Sequence, residues 1–223
     1  MHPLTTAIRA AYASAADPKQ APAMQKYMKS SLPYYGIKLP LQRKINRELF
    51  KLHPVKSFDE YVVVIRKLWD ASYREERYAA IAVAEHFRPF ITMEALPTYR
   101  MMIETGAWWD LVDGIAAHLI GELLCKHPVE MKIILKEWIK DSDLWIRRSA
   151  ILAQLRFKTD TDSELLFEFC AKCLQEQSFW IRKAVGWSLR DYSKVAPEKV
   201  RAFVEEYRKN MSGVTLREAR KYI

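Results

Sequence analysis

Hydrophobic residues recur at helical spacing along almost the whole chain. The clearest stripes are formed by Tyr61, Val62, Ile65, Leu68 and Trp69 and by Tyr78, Ile81, Ala82, Ala84 and Phe87. Intervals of three and four place such residues on one face of an α-helix. Prolines separate these segments, and no stretch alternates apolar and polar residues long enough to predict a sheet. The pattern therefore predicts an all-α fold.

The predicted helices also repeat along the sequence. Residues 143–150 (DLWIRRSA) return 35 residues later as residues 178–185 (SFWIRKAV). Trp108 and Trp69 precede this pair at similar intervals. In each unit, a short polar turn is expected to lead to a tryptophan and then to a helix. A period of roughly 35–47 residues is typical of HEAT or armadillo helix pairs. We therefore predict an α-solenoid of HEAT-like repeats.

A solenoid of this kind presents a concave face that is built from one helix of every pair. We expect this face to be basic; its candidate residues are Arg147, Arg148, Arg182, Lys183 and Arg190. The repeated tryptophans Trp69, Trp145 and Trp180 are expected to pack between repeats instead, because large aromatic residues usually serve the core.

Length and composition narrow the class of protein. At 223 residues, half of them hydrophobic, the chain predicts one folded domain over residues 1–223. No apolar run reaches the roughly 18 residues of a membrane span, and residues 1–10 do not resemble a secretory signal. Three cysteines do not form a disulfide framework. We expect a monomer in the cytoplasm, without contact with a membrane.

Positive charge is concentrated at the N-terminal end. The formal charge is +9, and residues 1–56 hold ten Lys or Arg residues against two acids. Such a basic segment suits a polyanion, because each neutralised phosphate releases a counterion. A solvated basic surface without a partner is the alternative, and charge alone does not decide between them.

Residues 108–113 (WWDLVD) form the segment that best suits chemistry. On a helix, Trp109 and Asp113 share one face, and Trp108 lies on the neighbouring face towards the core. Lys183, Trp187 and Arg190 show the same mixture of aromatic and charged residues at helical spacing. If both faces converge, two indole rings flank one carboxylate.

This arrangement suits the removal of a purine that alkylation has made cationic. A cationic base needs no protonation in order to leave, so the remaining task is to stabilise an oxocarbenium-like sugar with a carboxylate such as Asp113, which should be ionised. Indole faces stabilise cations by about 0.5–2 kcal/mol each. Arg148 is expected to hold a backbone phosphate through a bidentate contact. The alternative for Asp113 is a role as a helix cap or dipole partner.

Motifs from near the N-terminus to the last helix carry a family resemblance. They are Tyr27-Met28-Lys29, Gly36-Ile37, Leu68-Trp69-Asp70, Trp108-Trp109-Asp110, Val112-Asp113, Trp145-Ile146, Arg148, Ala150-Ile151-Leu152, Gln154-Leu155, Lys183-Ala184, Gly186-Trp187 and Leu189-Arg190. Together they resemble the AlkD-type family of bacterial DNA alkylation repair glycosylases. The resemblance is specific, because several tryptophans, which are rare residues, stand at the separations found in that family.

The resemblance implies HEAT-like repeats with a concave, basic DNA-binding face. It also implies the excision of 3-methyladenine and 7-methylguanine from duplex DNA without a metal or cofactor. It places the catalytic aspartate on Asp113, the active-site tryptophans on Trp109 and Trp187, and the arginine on Arg148. It also implies action from the backbone side of the DNA, whereas most glycosylases swing the base into a pocket. The expected DNA contacts are Tyr27, Arg43, Arg148, Lys183 and Arg190.

Other functional signals are weak. Cys170 and Cys173 resemble half of a zinc motif, but no second pair follows and both fall in an apolar helical segment, so we expect them in the core. Two other classes of function stay open: a DNA-binding scaffold without activity, and a protein-interaction solenoid. The first should lack the aspartate or the tryptophan pair, and the second leaves the basic N-terminal segment unexplained.

Overall fold

Residues 2–223, described here by a computed structural model, are mainly helical and contain no β-strand. In the first part of the chain the α-helices are α1 Pro3–Ser14, α2 Ala21–Met28, α3 Leu39–Leu52, α4 Phe58–Trp69, α5 Arg74–His86 and α6 Leu96–Gly106. They are followed by α7 Trp109–Gly114, α8 Gly121–Lys126, α9 Pro128–Trp138, α10 Leu144–Leu152, α11 Ser163–Lys172, α12 Phe179–Ser193, α13 Pro197–Tyr207 and α14 Gly213–Ala219. The predicted all-α fold is confirmed.

The chain divides into two compact units, one ending at Thr98 and the other running from Tyr99 to Ile223. In the first unit, α1 packs against α3, α4 and α5, and α4 packs against α5. Leu4, Ile8 and Tyr12 of α1 are fully buried there. The single domain expected over residues 1–223 stays a prediction. Among residues 2–223, no helix is both long and apolar enough to cross a membrane.

The connection between α2 and α3 is held by a buried carboxylate. Glu75 is fully buried, and its two oxygens accept hydrogen bonds from the backbone N–H groups of Tyr35 (3.0 Å), Gly36 (2.9 Å) and Ile37 (3.2 Å). Burial raises the pKa of Glu75, while these backbone donors oppose the rise. Gly36 has φ of +88°, and a Cβ there would lie 2.1 Å from the carbonyl oxygen of Asp17. Glycine is therefore required at this turn.

In the second unit, a continuous helix runs from Trp109 to Lys126, because α7 and α8 are joined by a π-helical segment, Ile115–Ile120. α10 packs between α7 and α12, and it also contacts α9 and α11. The helices that follow the repeated tryptophan motif therefore lie side by side. This order agrees with the predicted HEAT-like arrangement.

The repeated tryptophans of the second unit pack on one another. The ring centroids of Trp108, Trp145 and Trp180 lie 5.2–6.2 Å apart in all three pairs. The predicted packing between repeats is confirmed for Trp145 and Trp180. Trp69 is buried, at 1% exposure, and its packing between repeats stays a prediction. One detail of the prediction is wrong: Trp69 is the last residue of α4 and does not begin a helix.

Arg147 and Arg182, predicted for the concave face, hold the turns before their own helices. Arg147 donates to the carbonyl oxygen of Asp141 (2.7 Å), and Arg182 donates to that of Glu176 (2.6 Å). In each repeat the acceptor lies six residues before the arginine. The matching arginines thus stabilise the same turn in two successive repeats.

We expect Glu75→Gln to destabilise the fold by about 1–3 kcal/mol, the usual cost of leaving buried donors without acceptors. An amide offers one acceptor oxygen where the carboxylate offers two. Urea denaturation of the variant and of Glu48→Gln, an exposed position on α3, measures this. Equal midpoints for the two variants would refute the anchoring role of Glu75.

Candidate active site

The site starts where α7 begins. Trp108 is in an extended conformation and forms the N-cap, so the helix proper begins at Trp109 and reaches Asp113 after one turn. Trp109 and Asp113 therefore share a face, as the sequence predicted. Trp109 is partly exposed, and the Asp113 side chain is 14% exposed. This carboxylate is largely shielded but still reaches the surface.

Arg148 binds both oxygens of Asp113. Its Nε lies 2.7 Å from Oδ1 and its Nη2 lies 2.8 Å from Oδ2. The Arg148 side chain is 3% exposed. A bidentate pair fixes both the position and the plane of the carboxylate, so Asp113 has little rotational freedom.

The position of Arg148 depends on the start of α10. Asp143 caps this helix, and its Oδ1 accepts hydrogen bonds from the N–H groups of Trp145 (2.6 Å) and Ile146 (3.2 Å). The third donor of Arg148, Nη1, binds the carbonyl oxygen of Trp180 in α12. Its guanidinium carbon also lies 5.9 Å from the centre of the Trp180 ring. One arginine thus connects α7, α10 and α12.

These contacts give Arg148 a different partner from the one that the sequence analysis expected. Nε and Nη2 form one of the donor pairs through which an arginine can bind a phosphate, and here both bind Asp113. With a side chain that is almost completely buried, Arg148 positions Asp113 in this structure, and its predicted contact with DNA stays a prediction.

The charge of Asp113 is subject to two opposing effects. Burial raises its pKa above the ordinary value, and the hydrogen bonds and the charge of Arg148 partly offset this rise. The negative charge of Asp110 adds to the rise. Shielding also strengthens the field of the ionised carboxylate, because less water screens it.

A second group of charges lies on α12 and α14. Lys183, Trp187 and Arg190 follow one another on one face of α12, and Trp187 is partly exposed. Nζ of Lys183 lies 2.6 Å from Oε1 of Glu218, and Arg190 binds Oε2 of the same carboxylate. Glu218 was not predicted from the sequence, because nothing in the spacing of residues marks it as the partner of Lys183 and Arg190.

The other two predicted DNA contacts belong to the first unit. Tyr27 lies on α2 and is 74% exposed. Arg43 lies on α3 and is exposed together with Lys44 and Arg47 of the same helix. Both side chains are therefore accessible, and their contact with DNA stays a prediction.

Cys170 and Cys173 are both buried, as the sequence predicted. Burial raises the pKa of each thiol to about 12, so both are protonated at neutral pH. Within residues 2–223, no cluster of three or more His, Cys, Asp or Glu side chains has the arrangement of a metal site.

Comparison with known proteins places the chain in a family. The model of the DNA alkylation repair enzyme family matches residues 8–223, almost the whole chain. The chain belongs to this family. The resemblance to AlkD-type proteins noted in the sequence is thereby confirmed, and DNA is the partner that the family implies.

Solved structures support the same assignment. A protein from Enterococcus faecalis, described as a predicted DNA alkylation repair enzyme, is 28% identical, with a TM-score of 0.86 over 93% of this chain and 96% of that one. AlkD2 from Streptococcus mutans is 18% identical, with a TM-score of 0.65 over 81% and 89% of the two chains. At that identity AlkD2 shows the fold alone. A search of curated proteins finds no significant match.

We expect Arg148→Ala to destabilise this family member by about 3–5 kcal/mol, because it leaves the shielded charge of Asp113 without its partner. A double-mutant cycle with Asp113→Asn, followed by chemical denaturation, measures the coupling between the two residues. Additive losses would show that the pair contributes no stability of its own.

Acid should weaken the packing of α12 against α14. Burial alone would raise the pKa of Glu218, but Lys183, Lys221 and Arg190 lower it to about 2. A lowered pKa stabilises the folded state above the ordinary value of 4.5, and this stabilisation is lost as the pH falls from there towards 2. Glu218→Gln should therefore be less stable than the parent at pH 7, with the difference shrinking in acid. Thermal unfolding across this range checks it; a constant difference contradicts it.

Proposed function

We propose that this protein is a monofunctional DNA glycosylase that removes cationic N3- and N7-alkylated purines, such as 3-methyladenine and 7-methylguanine, from duplex DNA. It acts as a monomer in the bacterial cytoplasm. The observation that carries the proposal is the fixed carboxylate of Asp113, on the same helix face as Trp109. Its two oxygens accept hydrogen bonds from Nε and Nη2 of Arg148 at 2.7 and 2.8 Å. Membership of the DNA alkylation repair family supports it.

The proposed reaction asks little of the protein beyond a well-placed negative charge. An alkylated purine already carries a positive charge, so it departs as a neutral base when the glycosidic bond breaks, and no general acid is needed. The sugar then becomes an oxocarbenium-like cation, which Asp113 stabilises while it orients the attacking water. Arg148 serves as the positioning residue, because its fork keeps the carboxylate fixed.

Two tryptophans complete the proposed site. Trp109 shares a face of α7 with Asp113, and Trp187 lies between two cations on α12. Their indole faces would stabilise the positive charge of the sugar and of the damaged base by about 0.5–2 kcal/mol each. Partial exposure of both rings leaves them accessible to DNA.

In this proposal the protein approaches DNA from the backbone side. Lys183 and Arg190 contact phosphates beside the site, and Tyr27 and Arg43 contact the duplex from the first unit. Selectivity then follows from the lability of the cationic base, without a fitted base pocket. We expect bulky N7 adducts to be tolerated for the same reason.

The test is the release of 7-methylguanine from a defined duplex under single-turnover conditions. We expect Asp113→Asn to reduce the rate by a factor of about 10²–10³, the loss typical when one electrostatic stabiliser is removed. Affinity for the duplex should change little. Asp191→Asn is the matched control, because that carboxylate lies on α12 and is partly exposed, at 24%, in a pair with Lys194; it should retain the parent rate.

Equal rates for Asp113→Asn and the parent would end the assignment of Asp113. Duplex binding without release by any variant would identify a DNA-binding scaffold. The product also matters: the strand should break only after alkali, and borohydride should trap no covalent complex. Trapping would point to a lysine nucleophile and would falsify the monofunctional mechanism.

A further inference from the structure

One carboxylate gathers three cations at the C-terminal end of the second unit. Glu218 of α14 lies 2.6 Å from Nζ of Lys183, binds Arg190, and lies 3.1 Å from Nζ of Lys221. Lys183 and Arg190 are seven residues apart, which is about two helical turns, and Trp187 lies between them. Glu218 thus joins the two cations that flank this tryptophan.

The carboxylate lies deeper than the cations it holds. The Glu218 side chain is 7% exposed, whereas those of Lys183, Arg190 and Lys221 are 38%, 23% and 46% exposed. The cluster carries one negative and three positive charges, so its exposed side is positive. This layering differs from an ordinary surface salt bridge, in which both partners face water.

The close approach of the α12 and α14 backbones allows Glu218 to lie beneath the cations. A Cβ on Gly186 of α12 would lie 2.6 Å from Cβ of Glu218 and 2.9 Å from the carbonyl oxygen of Thr215. α14 therefore approaches α12 at a point that only glycine permits. The hydroxyl of Thr215 donates to the carbonyl oxygen of Arg182 at 3.1 Å, which fixes the register of the two helices. Glu218 is held under the cations by the fold itself.

We propose that Glu218 is a positioning residue that holds Lys183, Arg190 and Lys221 as one preorganised phosphate-binding cluster beside Trp187. The inference rests on the proposed function for the identity of the ligand, a phosphate of the duplex backbone. Lys and Arg side chains have many rotamers, and ordering them on binding costs affinity. A buried carboxylate that orders them beforehand removes this cost. Lys221 enters as a phosphate contact that the sequence analysis did not name.

The proposal predicts a change in affinity opposite in sign to that expected from charge alone. Removing a negative charge from a basic surface should tighten the binding of a polyanion. If Glu218 instead orders the cluster, Glu218→Gln should weaken affinity for an unmodified duplex roughly five- to tenfold, the cost of ordering long side chains on binding. The control is Glu198→Gln, which removes a 79% exposed carboxylate on α13; its affinity should be unchanged or higher.

The experiment measures duplex binding of the full chain by fluorescence anisotropy over a range of salt concentrations, with thermal unfolding to confirm that each variant is folded. Weaker binding by Glu218→Gln supports the proposal. Tighter or unchanged binding overturns it. In a Lys183→Met/Arg190→Met background, Glu218→Gln should no longer weaken duplex binding, because Lys221 is then the only cation of the cluster that Glu218 can position.

A milder variant covers the case in which Glu218→Gln does not fold. Lys221→Met changes a half-exposed side chain in the last turn of the chain. It should reduce the slope of log affinity against log salt by about 0.9, the value for one lost phosphate contact. An unchanged slope contradicts the cluster.

The failure of this inference is distinguishable from that of the proposed function. Binding to unmodified duplex decides the role of Glu218 even if the parent releases no base, whereas excision by the parent decides the glycosylase. If the parent excises and Glu218→Gln retains both affinity and rate, only the inference is lost.

Discussion

The second unit depends on a nearly buried ion pair, Asp113 with Arg148. Removing two charges from water is costly, and a pair of this kind often contributes less stability than apolar residues of the same volume. Its geometry offers something else: a carboxylate with a fixed plane, shielded from water and still at the edge of the surface. Because the same arginine binds the Trp180 carbonyl, the position of Asp113 depends on the packing of three successive repeats.

The tryptophan cluster explains how those repeats stay aligned. Trp108, Trp145 and Trp180 occupy matching places in the repeat, and their rings touch in all three pairs. Arg148 lies beside the same cluster, so an apolar contact between repeats also supports the polar site. Repetition along the sequence thus has a direct counterpart in space: equivalent residues meet because equivalent helices pack side by side.

The helices and the faces that carry the candidate site could largely be predicted from the sequence. The partners of its charged side chains could not, because they come from distant parts of the chain. Helical spacing placed Trp109 and Asp113 on one face, and the 35-residue repeat predicted that α10 and α12 are equivalent. The partner of Arg148 could not be predicted, since a bidentate fork suits a phosphate and a carboxylate equally well. Glu218 was missed because two of its three cations, Arg190 and Lys183, lie 28 and 35 residues away, and only the close approach at Gly186 brings them together.

The π-helical segment that follows Asp113 has a consequence for the direction of its carboxylate. Each residue of an α-helix turns the chain by about 100°, so one residue accommodated in a wider turn shifts the phase of everything after it. Asp113 lies before the wider turn, and Leu123 lies after it. Their orientations about the helix axis therefore differ from those in a regular α-helix, in which Leu119 and Leu123 could not be buried with Asp113 in its present direction. One residue fewer between 114 and 121 would turn Asp113 by about 100° relative to the helix that follows and so move its carboxylate away from Arg148. The length of this segment is therefore as important for the site as the identity of the aspartate.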